Sequence, residues 1–395
     1  MMENSKNVLE IPYGTRDFLP NETAGKRTVE TKLANMFTEW GYDEVVTPTI
    51  EYLDNLTLGS SHSLEPHLFK LFDKDNRTLA LRHEMTTPIA RVVSSRLQDS
   101  PLPMKLSYIS TVFRYEQTQA GRQCEFNQAG AELMGSTSPA ADAEIIALAI
   151  EGLLRTGLKD FKLCLGQVEF LNGVMEQYNL TEAVKAELRT AMENRNLVKL
   201  TNVVNALNLS SSAKAVLKQL PLLNGGAELL KSAYNLALNE QSRRALDNLS
   251  EIYRLLQAYG VDKYVQFDLG IIRDFNYYTG MVFEAYTAVL GYPLCGGGRY
   301  DHLLADFGSA CPATGFAMGI ERILLALERQ GIEPADKSKD VYIGYAQGKA
   351  EIAIRKALEL RQQDKTVELA LQAQSEAAAC EMQAAKGYRE LIYLA

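Results

Sequence analysis

The sequence predicts an α+β fold: an antiparallel sheet flanked by helices, with a helical insertion and a small α/β unit at the C-terminal end. Strand-like segments recur at residues 78–135 and 265–301. Residues 171–260 instead have helical periodicity and are rich in Leu, Ala, Asn, Lys and Glu. The tail alternates β-α-β-α-β. We therefore expect three domains: a core of residues 1–170 and 261–330, a helical insertion of residues 171–260, and an α/β unit of residues 340–395.

The first predicted helix spans residues 21–40, with Asn21 as its N-cap and Gly41 as its C-terminal stop. Its apolar residues follow a period of 3.6: Val29, Leu33, Met36, Phe37 and Trp40. Residues 42–53 then read as a strand. Because Pro48 cannot donate a backbone hydrogen bond, this strand is expected at a sheet edge or a boundary.

The next strands are expected at residues 78–82, 106–117 and 125–135. A loop that contains Gly121 separates the last two, which favours an antiparallel pair. Residues 142–157 form a strongly amphipathic pattern that predicts a helix. The segment at 161–170 predicts another strand.

Composition excludes several functional classes. The chain of 395 residues is 46% hydrophobic and 23% charged, has no run of about 18 apolar residues that would span a membrane, and lacks a signal peptide, so we expect a cytoplasmic protein. The net charge of −8 argues against broad, non-specific binding of nucleic acid. Five scattered cysteines and four histidines give neither a disulfide framework nor a metal site.

Three segments resemble, in order and spacing, motifs 1, 2 and 3 of class II aminoacyl-tRNA synthetases. They are residues 40–50 (WGYDEVVTPTI), residues 113–116 (FRYE) with Arg122 and Phe126, and residues 315–322 (GFAMGIER). Each segment alone is weak evidence, because short patterns of this kind occur by chance. The three together imply that fold, with an antiparallel sheet that holds a nucleotide.

The resemblance also implies a vestigial nucleotide site at Arg114, Glu116, Arg122 and Arg322. A guanidinium group is always charged, binds phosphate in a forked geometry and stacks on aromatic rings. Arg114 would meet the α-phosphate, Glu116 the adenine edge and Arg322 the far phosphates. The alternative is that Arg114 and Glu116 are a pair on a surface strand and that Glu321 and Arg322 are an ordinary helix start.

Further segments resemble histidyl-tRNA synthetase in particular. They are residues 13–20 (YGTRDFLP), 81–87 (LRHEMTT), 273–279 (RDFNYYT) and 295–301 (CGGGRYD). The likeness covers most of residues 11–330. It implies a histidine pocket, whose positions are Glu84 and Thr86 for the amino group, Gln128 and Glu132 for the wall, Arg273 for the carboxylate, and Tyr277 and Tyr278 for the imidazole ring.

The sequence also departs from that family. Gln117 and Cys124 stand where the motif 2 loop of the synthetase has arginines, so two charged hydrogen bonds of about 1.5–3 kcal/mol each are lost. Asp274 adds a carboxylate beside Arg273, which is unfavourable next to ATP. The tail after residue 340 is shorter than the synthetase's anticodon-binding domain, so we expect a truncated C-terminal unit.

These features together resemble the regulatory subunits of ATP phosphoribosyltransferase, a family related to histidyl-tRNA synthetase. The resemblance implies no catalytic residue and no cofactor, binding of L-histidine, and a homodimer within a hetero-oligomer with a short-form catalytic transferase. It also implies no binding of tRNA. Two alternatives remain: an active histidyl-tRNA synthetase, which would charge tRNA, and a stand-alone paralogue that binds or modifies an amino acid.

Overall fold

A computed structural model of the chain describes residues 9–58, 62–115, 123–271, 277–334 and 339–395. The chain forms two compact units, Met1–Pro334 and Ala335–Ala395. Among the described residues, every helix is too short or too polar to cross a membrane.

The described strands of the first unit are, in chain order, β1 (Asp43–Glu44), β2 (Ile50–Tyr52), β3 (Lys70–Phe72), β4 (Thr78–Leu81), β5 (Met104–Phe113), β6 (Glu125–Met134), β7 (Lys162–Gln167), β8 (Asn224–Gly225), β9 (Val265–Asp268), β10 (Met281–Tyr286), β11 (Cys295–Arg299) and β12 (Ala313–Gly319). The described helices are α1 (Pro20–Glu39), α2 (Leu53–Thr57), α3 (Thr86–Arg96), α4 (Pro139–Thr156), α5 (Val168–Glu176), α6 (Glu182–Glu193), α7 (Leu197–Ala206), α8 (Ser211–Gln219), α9 (Glu228–Ala233), α10 (Glu240–Ala258) and α11 (Ile320–Arg329).

Nine of these strands form one sheet, in the order β1-β5-β6-β12-β11-β10-β7-β9-β8 within the described residues. The six strands from β5 to β7 pair antiparallel, whereas β1 joins β5, and β9 joins β7, in parallel. The predicted antiparallel pair of residues 106–117 and 125–135 is therefore confirmed as β5 and β6. A smaller antiparallel sheet has the order β2-β4-β3.

The two faces of the large sheet differ in side-chain size. One face packs against α4, whose apolar residues Ile145, Ile146 and Leu148 are fully buried. On the other face the cross-strand row opposite Glu132 consists of Gly315 and Gly298. Because directly paired residues share a face, the glycines leave a depression beside the Glu132 side chain.

The structure corrects several expected boundaries. Helix α1 begins at Pro20 and its N-cap is Leu19 rather than Asn21; the Glu22 carboxylate accepts a hydrogen bond from the Leu19 amide at 3.1 Å. The strand expected at residues 42–53 is split into β1 and β2, which lie in different sheets, and Pro48 lies at the break. The strand expected at 161–170 ends at Gln167, where α5 begins.

Six helices, α5 to α10, follow between Val168 and Ala258. The segment also contains β8, which pairs antiparallel with the end of β9 and is not indicated by the sequence. The expected domain boundaries at residues 171 and 260 remain predictions.

The second unit has the predicted β-α-β-α-β order. Its described elements are β13 (Lys339–Tyr345), α12 (Ala350–Arg361), β14 (Val367–Leu369), α13 (Glu376–Lys386) and β15 (Tyr388–Leu394). The three strands are parallel, in the order β14-β13-β15. Val341, Ile343 and the helix residues Ala353, Ala357 and Ala379 form its core.

Candidate ligand-binding site

A cavity of about 100 Å³ lies on the glycine-lined face of the large sheet. Its wall includes six of the seven positions expected to bind histidine, which come from three separate segments of the chain: Glu84, Thr86, Gln128, Glu132, Tyr277 and Tyr278. The seventh, Arg273, lies outside the described residues. Glycine is required beside Glu132, because a Cβ atom at Gly315 would lie 1.7 Å from the Glu132 Oε2 atom.

Glu132 is the centre of a hydrogen-bonded network. The Thr86 hydroxyl donates to its Oε1 atom at 2.8 Å, and the Tyr300 hydroxyl donates to its Oε2 atom. Both Glu132 and Tyr300 are buried. Burial raises the pKa of Glu132 to about 8, because desolvation disfavours the carboxylate more than the two hydrogen bonds stabilise it. Glu132 is therefore mostly protonated at neutral pH.

Glu84 caps the helix that borders the pocket. Its two carboxylate oxygens accept hydrogen bonds from the Thr86 amide at 2.6 Å and the Thr87 amide at 2.8 Å, in the first turn of α3. Carboxylates are favoured at this position by the unsatisfied amides and the helix dipole. The carboxylate of Glu84 is therefore held in one orientation beside the cavity.

Three tyrosine rings form an aromatic wall. The ring centroids of Tyr277 and Tyr278 lie 4.8 Å apart, and those of Tyr277 and Tyr300 lie 5.5 Å apart in an edge-to-face arrangement. Gly298 leaves room for this wall, since a Cβ atom there would lie 2.8 Å from the Tyr278 ring. Both expected tyrosines therefore lie together beside Glu132.

Buried polar atoms of two side chains near the pocket have no hydrogen-bond partner among the residues that the structure describes. One is the Oε1 atom of Gln128, which lines the cavity. The other is His83, whose two ring nitrogens are both unpaired in that part of the chain. Burial lowers the pKa of His83 to about 4, so its ring is neutral at pH 7. A buried acceptor such as Gln128 Oε1 favours a ligand that carries an N–H donor.

Two of the four expected nucleotide-binding residues line the same cavity. Arg114 donates from Nε to the His83 carbonyl at 2.9 Å, and Arg322 donates from Nη1 to the Pro293 carbonyl at 2.8 Å. The adjacent Glu321 accepts hydrogen bonds from the amide and the side chain of Asn127, both at 2.9 Å, and so joins α11 to β6. Glu116 and Arg122 lie outside the described residues.

Cys124, at a position where the synthetase has an arginine, is buried beneath the N-terminal segment. Its amide donates to the Gly14 carbonyl at 2.7 Å, and a Cβ atom at Gly14 would lie 2.3 Å from the Cys124 sulfur. Gln117, the other substituted position, lies outside the described residues.

Tyr300 contributes to the site but was not among the residues singled out from the sequence. It lies within the segment CGGGRYD, and that motif was the signal that could have identified it. The preceding residue, Arg299, forms a buried ion pair of 2.8 Å with Asp142 at the start of α4. This pair fixes the end of β11 and with it the position of the Tyr300 ring.

In the described part of the chain, no group of three or more His, Cys, Asp or Glu side chains is arranged to hold a metal ion.

Comparison with known proteins identifies close sequence relatives. The family model described as Histidyl-tRNA synthetase matches residues 14–323. A protein of Moorella thermoacetica named "ATP phosphoribosyltransferase regulatory subunit" is 43% identical over 381 residues, which cover 96% of each chain. A protein of Desulforamulus reducens with the same name is 42% identical over 350 residues, which cover 89% of this chain and 87% of that one.

Solved structures agree with these relatives. A Bacillus halodurans protein described as "an ATP phosphoribosyltransferase regulatory subunit/histidyl-tRNA synthetase" superposes with a TM-score of 0.88 at 36% identity, with 98% of each chain covered. A histidyl-tRNA synthetase from Nostoc shares the fold, with a TM-score of 0.84 at 21% identity over 98% of this chain and 92% of that one. The class II synthetase-like fold predicted from the three motifs is confirmed. The chain belongs to the family of ATP phosphoribosyltransferase regulatory subunits, which is related to histidyl-tRNA synthetase.

Proposed function

We propose that this chain is a non-catalytic subunit that binds L-histidine and transmits feedback to a short-form ATP phosphoribosyltransferase, which catalyses the first step of histidine biosynthesis. The observation that carries the proposal is the Glu132 network inside a pocket walled by tyrosines. The names of the relatives from Moorella and Desulforamulus support the choice of partner.

The pocket suits histidine on chemical grounds. The carboxylate of Glu84 has a fixed orientation and is complementary to an ammonium group. Gln128 Oε1 can accept a hydrogen bond from an imidazole N–H, and the rings of Tyr277 and Tyr278 provide an apolar wall. In the proposed complex Arg273 meets the ligand's carboxylate.

Binding is tested by calorimetry with L-histidine. Glu132→Ala is expected to weaken binding by about 2 kcal/mol, or roughly thirtyfold, as for a lost hydrogen bond to a charged group. Glu359→Ala, on an exposed part of α12, is the matched control and should leave the affinity unchanged. Absence of binding heat, or equal affinities for Glu132→Ala and wild type, would refute the pocket assignment.

The proposed regulatory role requires thermodynamic linkage between histidine binding and the activity of the transferase. A ligand changes a partner's activity only if it binds two states of the complex with different affinity. Purified transferase should co-elute with this chain, and histidine should inhibit formation of phosphoribosyl-ATP by the complex. A coupling of about 1–3 kcal/mol would give a 5–150-fold effect. If histidine inhibits equally when Tyr277 and Glu132 are both replaced, the sensing role is wrong.

An active histidyl-tRNA synthetase is the second candidate, because Arg114 and Arg322 line the same cavity. We favour the regulatory role because Cys124 is buried where the synthetase has an arginine and Gln117 replaces another. The deciding experiment is a charging assay with histidine, ATP and tRNA. Charging above the background of a preparation free of other synthetases would support the second candidate and contradict the first.

The proposed assembly is a homodimer of this chain within a hetero-oligomer in the cytoplasm, without tRNA. Copurification from the native cell, with the partners identified by mass, tests this composition. The transferase is the expected partner.

A further inference from the structure

A second and larger cavity lies on the same face of the large sheet, toward its other edge. This groove encloses about 1040 Å³ and is bordered by β7, β9, β10 and the turn before α7. Glu284 connects the two regions, since it pairs with Gly296 of the first cavity on one side and with Cys164 of the groove on the other. The groove lies wholly within the first unit and shares no lining residue with the histidine pocket.

Cations surround the groove in a chain whose net charge is −8. Lys159, Lys162 and Lys263 line the groove and are exposed, and one exposed carboxylate, Asp160, lies among them. Arg195 lines the side formed by the helical segment, and it too is exposed. Its backbone has a φ of 51° at the end of α6, a position usually occupied by glycine.

The floor of the groove is different from its rim. Asp268 lies there half-buried, with an oxygen that accepts from the Gly270 amide at 3.1 Å, and burial raises its pKa. Burial also raises the pKa of the Cys164 thiol to about 11, so the thiol stays protonated. A compact anion such as phosphate would be repelled by the carboxylate of Asp268 at the floor. A ligand with several anionic groups spaced along the rim therefore fits better than one compact anion at the floor.

Exposed apolar side chains lie close in sequence to two stretches of the groove's lining. Leu197 and Val198 follow Arg195 at the start of α7, and Val198 is 72% exposed. Leu222, 58% exposed, precedes the residues of β8 that line the opposite border. Large exposed apolar side chains are typical of a surface that binds protein. Surfaces that bind nucleic acid are much more strongly cationic and usually belong to basic domains, whereas this chain has a net charge of −8.

We propose that this groove binds an acidic segment of the partner protein, one that places carboxylates against the four rim cations and apolar side chains against Leu197, Val198 and Leu222. On the proposed function, that partner is the transferase subunit. The complementarity of a cationic groove in an acidic chain with an acidic segment speeds association and specifies orientation. Histidine is bound in the separate cavity on the same sheet face.

The test compares two double variants with equal charge change. Lys159→Glu with Lys263→Glu reverses two rim cations, and Lys74→Glu with Lys365→Glu reverses two exposed lysines outside the groove. The affinity of each full-length chain for purified transferase is measured by calorimetry at 50 and 200 mM salt. Histidine binding by each chain alone, measured in parallel, reports whether the fold and the pocket are intact.

The groove variant is expected to lose at least tenfold in affinity for the transferase and to show a weaker salt dependence, while the control stays within twofold of wild type. Histidine binding should be unchanged in both.

If both variants bind the transferase as wild type does, the groove assignment is wrong and the proposed function stands. If wild type binds no transferase, the proposed function fails as well. Loss of affinity in both variants alike would show a general charge effect and overturn the assignment. Tighter binding of RNA than of transferase by wild type, lost in the groove variant, would assign the groove to nucleic acid and overturn it too.

Discussion

Glu132 is an acidic residue whose buried surroundings disfavour the charged carboxylate form. It is fully enclosed, and the Thr86 and Tyr300 hydroxyls satisfy its oxygens without a neighbouring cation in the described residues. Its pKa rises from 4.5 to about 8. The folded chain therefore binds a proton here that the unfolded chain has released, between pH 4.5 and 8. By linkage, folding stability falls as pH rises through this window.

The first prediction concerns that dependence. Glu132→Gln keeps the size of the side chain and removes the charge, so the variant should gain stability over wild type as pH rises from about 4.5 to 8. The difference in free energy of unfolding should be near zero at pH 4 and on the order of 3–5 kcal/mol by pH 9. Urea titrations at several pH values measure it. A difference that is independent of pH would show that Glu132 is ionised throughout.

Six of the residues singled out from the sequence line the cavity, because the motifs that resemble the synthetase family specify individual residues. Thr86 and Glu132 are 46 residues apart in the chain, yet their side chains lie within 2.8 Å. Nothing in the local pattern of residues 295–301 shows that the Tyr300 hydroxyl points to Glu132, because that depends on the register between β11 and β12. The raised pKa of Glu132 could not be predicted from the sequence either, because it arises from burial of the side chain by segments that are distant along the chain.

Paired glycines in β11 and β12 create the space that the pocket occupies. Gly298 pairs with Gly315, and Gly315 pairs with Glu132 across the next strand. Glycine in a strand interior weakens the strand, and it marks a site where another group approaches the backbone closely. The glycines therefore leave room for two side chains: Glu132 lies over Gly315, and Tyr278 lies over Gly298.

The second prediction tests this role. Gly315→Ala should displace the Glu132 carboxylate, because its Cβ atom would lie 1.7 Å from Oε2 and 2.7 Å from the Ala131 carbonyl. We expect histidine affinity to fall at least tenfold. Gly291→Ala is the control, since nothing lies within 4 Å of a Cβ atom there. Equal calorimetric affinities for the two variants would contradict the packing described here.

The third prediction concerns the buried ion pair between β11 and α4. Arg299 contacts Asp142 at 2.8 Å and also donates to the Ser136 carbonyl at 2.9 Å. Arg299→Met should lower the free energy of unfolding by about 3–5 kcal/mol, because it leaves the Asp142 carboxylate buried without its partner. Adding Asp142→Leu should recover most of the loss. Urea unfolding measures both, and a double variant no more stable than the single one would argue against an uncompensated charge.

Elements with strong periodicity were predictable and short ones were not. Helix α1 has apolar residues at a regular period, and its predicted extent of 21–40 agrees closely with Pro20–Glu39. Helix α3 was not expected, because its sequence TTPIARVVSSR contains proline and β-branched residues and no capping residue directly before it. Its first amides are bonded by Glu84, one residue further back than the N-cap Met85. That contact is visible only in three dimensions.

At the scale of the whole molecule, the small sheet β2-β4-β3 has two different faces. On one face the paired residues Ala80 and Glu51 are buried, while Lys70 and Phe72 on β3 are exposed; the other is called the open face. The open face holds five large apolar or aromatic side chains, none of them fully buried: Ile50, Tyr52, Leu71, Leu79 and Leu81. A contiguous apolar patch of this kind is typical of a protein–protein interface.

The motif 1 resemblance implies a homodimer in which the helix at 21–40 and the strand through Pro48 pack across a two-fold axis. The last prediction is that the open face of the small sheet, whose strand β2 follows Pro48, belongs to that interface. A symmetric dimer uses the same patch on both copies, and an apolar sheet face can pack against itself. Ile50→Glu with Leu71→Glu should convert the chain to a monomer at micromolar concentration, because four carboxylates would meet in the interface of the assembled pair. The matched control is Ile354→Glu with Leu358→Glu, which replaces apolar residues that are 48% and 52% exposed on α12. Sedimentation velocity distinguishes the two outcomes. A monomeric wild type would contradict the homodimer itself. A dimer that survives the first pair of substitutions would show that its interface lies elsewhere. Conversely, if the control alone dissociates the dimer, the interface lies on the C-terminal unit.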